Sequence, residues 1–191
     1  LMVADPIKLV CDLYRSYTEI TGKDETLDRF YGWGQLLLAD FDDIDKNMAD
    51  SHKVFANLRD IHELDDIDYL SPEQKNILKS FFHNFADDHL SKLKERFLSL
   101  WCNLEEIYCD FNQRLAAQGL AYEGALYRRV VEAQADYEFD KYVFVGFNML
   151  QQVEQRLFLT LKAQGKACFY WDFDHYYLAN NEAGHYINGY L

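Results

Sequence analysis

Three polar residues sit behind an apolar run near the end of the chain. Asp172, Asp174 and His175 follow Ala167-Cys168-Phe169-Tyr170-Trp171. The carboxyl end of a strand is where α/β sheets place their chemistry. Two carboxylates and an imidazole there can act as a general base or as metal ligands. Asp172 and Asp174 stand two apart, which puts them on one face if the strand continues. A plainer description also fits: strand-end polar groups, with His175 packed among Tyr170, Tyr176 and Tyr177. No partner constellation is found elsewhere in the sequence. A small metal-dependent enzyme using Asp172, Asp174 and His175 is therefore the third of three functional readings.

The run Asp40-Phe41-Asp42-Asp43-Ile44-Asp45 invites comparison with a calcium loop. With Asp43, Asp45 and Asn47 as the first three ligands, Met48 falls where the loop needs Gly, and Val54 falls where it needs a bidentate Glu. The run reads as a solvated acidic helix face, with docking of a basic partner as the alternative. Neither GxxxxGK[ST] nor GxGxxG occurs, so a self-contained phosphate loop is not found. Gly146 reads as a tight turn. Gly32 and Gly34, on either side of Trp33, read as a place where a second helix comes close. His185 has no metal-ligand spacing around it. Lys92, Lys94 and Arg96 form one basic cluster and Arg128-Arg129 another. Each is either a solvated helix face or a set of phosphate contacts.

Positioning these residues requires a core, and the composition supplies one. Of 191 residues, 49% are apolar and 16% aromatic. That excludes the disordered and low-complexity classes. No apolar run approaches the ~18–20 residues that span a bilayer, and no secretory signal is expected. The formal charge is -13. It argues against generic electrostatic DNA binding, which needs surplus Lys and Arg. Residues 1–70 hold 16 acids against 7 bases, residues 71–130 hold 8 of each, and residues 131–191 hold 8 against 4. Cys11, Cys102, Cys109 and Cys168 form no CxxC pair. They read as reduced thiols, mostly buried, in a cytoplasmic protein. A start at Leu1 suggests a piece of a longer chain.

The periodicity predicts helices over residues 6–20 and 26–39, the second running on as helix or turn to about 50. A short amphipathic piece around Val54, Leu58 and Ile61 follows. Ser71-Pro72-Glu73-Gln74 starts another helix, through Phe85. A long helix from about 89 to 118 and one over 121–133 complete a helical block. From about 138 the pattern changes. Tyr142-Val143-Phe144-Val145 is a continuous apolar run, the mark of a buried strand. A helix over 149–164 and a second strand over 167–171 make a βαβ unit with parallel strands. The expected fold is mainly α with a small α/β part: a helical subdomain over 1–137, then a partial α/β segment over 138–191. A lone parallel pair is marginal, so further strands are expected in flanking sequence.

Superfamily 1 helicases show this order of elements. Phe111 to Glu132 (FNQRLAAQGLAYEGALYRRVVE) resembles the helix pair closing their inserted 1B subdomain. Tyr142 to Asn148 (YVFVGFN) resembles the Walker B strand of the P-loop motor domain, and Tyr170 to Tyr177 (YWDFDHYY) the later strand with its Gly-Asp-x-x-Gln signature. Gly146 and Phe147 stand where the magnesium-binding Asp and the catalytic Glu would be, and without those carboxylates nothing holds the metal or positions water. Asp172 fits the signature Asp, and His175 replaces its Gln. The pattern is similar to the inactivated helicase core of AddB-type subunits. With FYGWGQLLLADFDDID, LAYEGALYRRVVE and ACFYWDFDHYY, the chain resembles a Bacteroidetes group of PD-(D/E)XK nuclease family proteins over nearly its whole length.

That resemblance implies a non-catalytic scaffold in DNA recombination or repair. It implies a helicase partner subunit, DNA contact through the parent protein, and nuclease activity outside this segment. No cofactor, metal ligand set, catalytic residue or membrane contact is expected within it. Lys92, Lys94, Arg96, Arg128 and Arg129 would be its phosphate contacts. An acidic helical protein-interaction module is the alternative.

Overall fold

Asp5 and Pro6 start the first helix, α1 (Pro6–Thr21). Asp5 has extended backbone and its carboxylate accepts the Ile7 N–H at 2.9 Å, while Pro6 fills a first-turn position that has no hydrogen bond to lose. Gly22 ends α1 at φ 64, a left-handed geometry that costs glycine nothing, and donates its N–H to the Thr18 carbonyl. A computed structural model of the chain describes residues 1–60, 88–133, 137–180 and 184–190. The helix expected from Ser71 to Phe85 lies outside the described residues. The fold is mostly helical, with four short strands in two small sheets among the described residues. No helix among them is long and apolar enough to cross a membrane.

The chain divides into two compact units. One is Leu1–Phe41 with Ala49–Tyr122; the other is Asp42–Met48 with Glu123–Leu191. In the first, α1 packs against the long helix α4 (Asp88–Ala117), as does α3 (Ser51–Asp60). Leu100, Leu104, Ile107, Phe111 and Leu115 of α4 are buried, a stripe at three- and four-residue spacing. The stripe meets Leu13 and Tyr17 of α1, Phe30 and Phe41 of α2 (Leu27–Lys46), and Phe55 of α3 in one aromatic core. Phe41 is edge-on to Tyr108 at 5.1 Å, and Phe111 stacks on Tyr122 at 5.7 Å and 4°. The atoms nearest the open side of Gly34 belong to its own helix. A Cβ there would lie 2.5 Å from the Phe30 ring, so the missing side chain makes room for a core aromatic of its own helix.

Asp12 lies within this core at 1% exposure, and its charge is answered. Lys8 Nζ stands 2.9 Å from it, Arg15 Nη1 3.4 Å, and Gln118 Nε2 donates to it at 3.1 Å across to the end of α4. An unpaired buried carboxylate would cost several kcal/mol. Beside it, β1 (Met2–Val3) pairs in parallel with β2 (Leu120–Ala121). Two-residue strands carry no readable period, which is why the sequence does not announce them. Cys102 and Cys109 correct another expectation. Both are exposed, seven residues apart on one face of α4, and Cys11 and Cys168 are half-buried; all four are free thiols.

The second unit opens with the last turn of α2 and continues with α5 (Glu123–Glu132), β3 (Tyr142–Val145), α6 (Gln152–Ala163) and β4 (Ala167–Tyr170). Two short helices follow, α7 (His175–Asn180) and α8 (His185–Asn188). β3 and β4 are parallel, with Tyr142 opposite Ala167 and Val145 opposite Tyr170. On one face, Phe144 and Phe169 stack at 5.3 Å and meet Phe158 of α6, at 4.0 Å from Phe144. On the other face Val143 (57% exposed), Val145 (66%) and Tyr170 (58%) are open.

Phe111 has no exposure and touches rings from α2 and Tyr122. Phe111→Ala is expected to cost about 3–5 kcal/mol, the range for a large buried aromatic. Urea-denaturation midpoints measured by circular dichroism check this.

Candidate functional site

The parallel register brings the segments after β3 and β4, which hold Gly146 and Asp172, to one end of the small sheet. Gly146 follows β3 and donates its N–H to the Tyr170 carbonyl at 3.0 Å. Its φ of 74 makes it a tight turn that a side chain would strain, as its sequence position led one to expect. Phe147 turns back onto the covered face of the sheet, edge-on to Phe144 at 6.2 Å and to Phe158 at 5.4 Å. It is a half-buried ring beside β3. Asp172 lies two residues beyond β4 and is exposed.

Asp174 and His175 do not continue the strand. β4 ends at Tyr170, so the alternation that would pair Asp172 with Asp174 on one face does not apply. Asp174 instead starts α7: its carboxylate accepts the Tyr176 N–H at 2.8 Å and its carbonyl accepts the Leu178 N–H at 3.3 Å. Such a cap satisfies amide groups that a helix start leaves open. His175 is exposed, and its ring meets Phe173 edge-on at 5.4 Å. Among the described residues no group of three or more His, Cys, Asp or Glu is placed to hold a metal ion, so these three do not form one.

The acidic run divides in two. Asp40 and Asp43 are exposed, as a solvated face requires. Asp42 and Asp45 turn inward, toward α5. The Asp42 carboxylate accepts the Gly124 N–H at 2.6 Å and pairs with Lys46 Nζ at 2.7 Å. A carboxylate at a helix start is favoured by the helix dipole as well as by the hydrogen bond. Gly124 is required for this approach, since a Cβ there would lie 2.5 Å from the Asp42 carbonyl oxygen. Asp45, 1% exposed, pairs with Arg128 Nη1 at 3.2 Å. The Arg128 Nε also meets Glu132 at 3.0 Å.

Two charges around this clasp are shifted. Partial burial works against the Lys46 ammonium, but its hydrogen bond to Asp42 and the charges of Asp42 and Glu123 hold its pKa above the ordinary lysine value. The Tyr127 hydroxyl donates to Glu123, and with Lys46 nearby it holds that carboxyl below the usual range against a smaller desolvation cost.

The sequence did contain a signal for this clasp. Phe30, Leu37, Phe41 and Asp45 follow one another at helical spacing, so Asp45 sits on the apolar stripe of α2. An acid on such a stripe needs a cation, and Arg128 supplies it from 83 residues away. Of the basic residues read as phosphate contacts, Arg128 is thus engaged by two carboxylates, and Arg129 is exposed on α5. Lys92, Lys94 and Arg96 lie on the first turns of α4, and their side chains fall outside the described residues. Comparison with protein-family models, curated proteins and solved structures finds no match to this chain.

Removing one partner of a buried ion pair costs about 3–5 kcal/mol, whereas replacing both with apolar groups is often neutral. Arg128→Met is therefore expected to destabilise strongly, toward the lower end because Arg128 is part-exposed, and Asp45→Leu with Arg128→Met to recover most of the loss. A double-mutant cycle from urea midpoints measures this. The pH dependence follows from the two shifts. The lowered Glu123 pKa contributes stability above the ordinary glutamate value, lost as pH falls through the folded value. The raised Lys46 pKa contributes stability below the ordinary lysine value, lost as pH rises through the folded value. Glu123→Gln should flatten the acid limb of stability against pH and also weaken the alkaline limb, which Asp42 beside Lys46 keeps in part.

Proposed function

We propose that this chain is a non-catalytic, helicase-like segment of an AddB-like PD-(D/E)XK nuclease family protein, acting as a scaffold in DNA recombination or repair. The helical block corresponds to the inserted 1B-like subdomain, and the βαβ part to a piece of the first motor domain. The observation that carries the reading is the end of β3. A parallel strand of a motor-like βαβ unit leads into Gly146 and Phe147, with a left-handed turn at the first and a half-buried ring packed on Phe144 and Phe158 at the second. A nucleotide-hydrolysing motor needs a carboxylate at that strand end to hold magnesium and another to position water. Asp172 stands alone at the neighbouring strand end, and Asp174 is committed to capping α7.

The scaffold packs against a helicase partner and shapes the DNA path, with nucleic-acid chemistry carried by other parts of the parent protein. A surface with surplus acid does not hold a phosphate backbone by charge alone. DNA contact therefore falls to the charge-balanced middle helices or to other domains.

The purified chain is expected to show no magnesium-dependent ATPase and no nuclease activity above a buffer control, in the presence or absence of single-stranded DNA. Turnover that disappears in Asp172→Asn or Asp174→Asn would overturn the reading.

A further inference from the structure

We propose that the second unit binds a planar aromatic anion in the groove between α6 and the rings of Phe169 in β4, Trp171 and Tyr190. A cavity of about 330 Å³ lies there. That is the small end of the roughly 300–1,000 Å³ of ligand sites, and suits one ring system with a single substituent. Leu150 and Phe158 line it beside Phe169, Trp171 and Tyr190. The last three rings lie nearly parallel: Phe169 and Trp171 at 5.7 Å and 4°, Trp171 and Tyr190 at 5.1 Å and 17°. Rings held in one orientation offer a further ring the offset-stacked or edge-on contacts that aromatic pairs prefer.

Charge selects among flat ligands. Lys162 lines the groove, and no carboxylate does. Lys162 is exposed and has no ion pair among the described residues. Its ammonium supplies a positive charge at the groove for an anionic substituent. Gln155 adds a second polar handle: its Nε2 donates to the Leu150 carbonyl at 3.0 Å, leaving the amide oxygen to accept from a ring amine or N–H. An aliphatic ligand would leave the aligned rings of Phe169, Trp171 and Tyr190 without a stacking partner. One lysine cannot hold a run of phosphates, so the ligand carries one anionic group. Phosphate and carboxylate satisfy this equally, in a nucleoside monophosphate or an aromatic carboxylic acid. This site is independent of the scaffold reading.

Isothermal titration of the full chain with adenosine monophosphate and, separately, with indole-3-acetate tests it. Saturable binding of one molecule per chain is expected for at least one of them. Binding of the nucleotide alone identifies the phosphate source, and binding of the indole acid alone identifies the carboxylate source. Lys162→Glu, an exposed position, is expected to weaken binding tenfold or more with an unchanged circular dichroism spectrum. Trp171→Leu should do the same, and Val145→Lys on the opposite sheet face should leave binding intact. Failure of both probes to bind overturns the proposal, as does equal binding by Lys162→Glu, or loss of binding in Val145→Lys with a native spectrum.

Discussion

A single buried carboxylate constrains how the second unit begins. Asp45 sits on the apolar stripe of α2 with 1% exposure, where an unpaired charge is not tolerated. Arg128 answers it from the second turn of α5. One turn earlier on α2, Asp42 meets the first amides of α5 at Gly124. These two contacts fix both where α5 starts and which face it shows. α5 in turn packs against α6, and α6 covers β3 and β4. The placement of the small sheet therefore traces back to two acids that composition alone would assign to solvent. An ion pair of this kind adds little net stability compared with an apolar replacement, but it penalises every arrangement in which the charge is left alone.

Local features were the legible ones. The helix over 6–20 was readable from its apolar spacing, its Pro and the closing Gly, and the structure gives Pro6–Thr21 with Gly22 left-handed. The strand at 142–145 was readable as a continuous apolar run, the second strand was expected over 167–171 and ends at Tyr170, and α6 was readable from its period. Gly119 and Gly165 stop elements because they take φ 71, a requirement the residue type itself announces. Long-range features were not legible. Asp45 and Arg128 are 83 residues apart, and nothing local distinguishes Asp45 from exposed Asp43 except its register with Phe41. α7 was missed because Asp172-Phe173-Asp174 reads equally as polar strand end or helix cap. The Asp174 carboxylate accepting the Tyr176 N–H decides for the cap.

The candidate site shows the same limit. The sequence placed Gly146 and Asp172 at neighbouring strand ends, and the parallel register brings those ends together. The aromatic groove was not legible in advance. Its walls come from three stretches far apart in sequence: Leu150 with α6, the end of β4 with Trp171, and Gly189 with Tyr190; in the second, Phe169 and Trp171 face the same groove. Their separation of two residues is also the period of a strand face, so the sequence alone reads it as core alternation.

The open face of β3 and β4 gives the acidity of the chain a physical role. Val143, Val145 and Tyr170 present an apolar strip on a sheet whose outer strand edges are short. Two copies of such a strip attract each other, because stacking them removes both from water. A formal charge of -13 opposes that approach over a distance set by the ionic atmosphere, ~8 Å at physiological salt and ~3 Å at 1 M. Colloidal behaviour is then a competition between a short-range sticky strip and a longer-range repulsion. Ionic strength and proximity to the isoelectric point near pH 4.8 become variables that decide whether the chain stays dispersed.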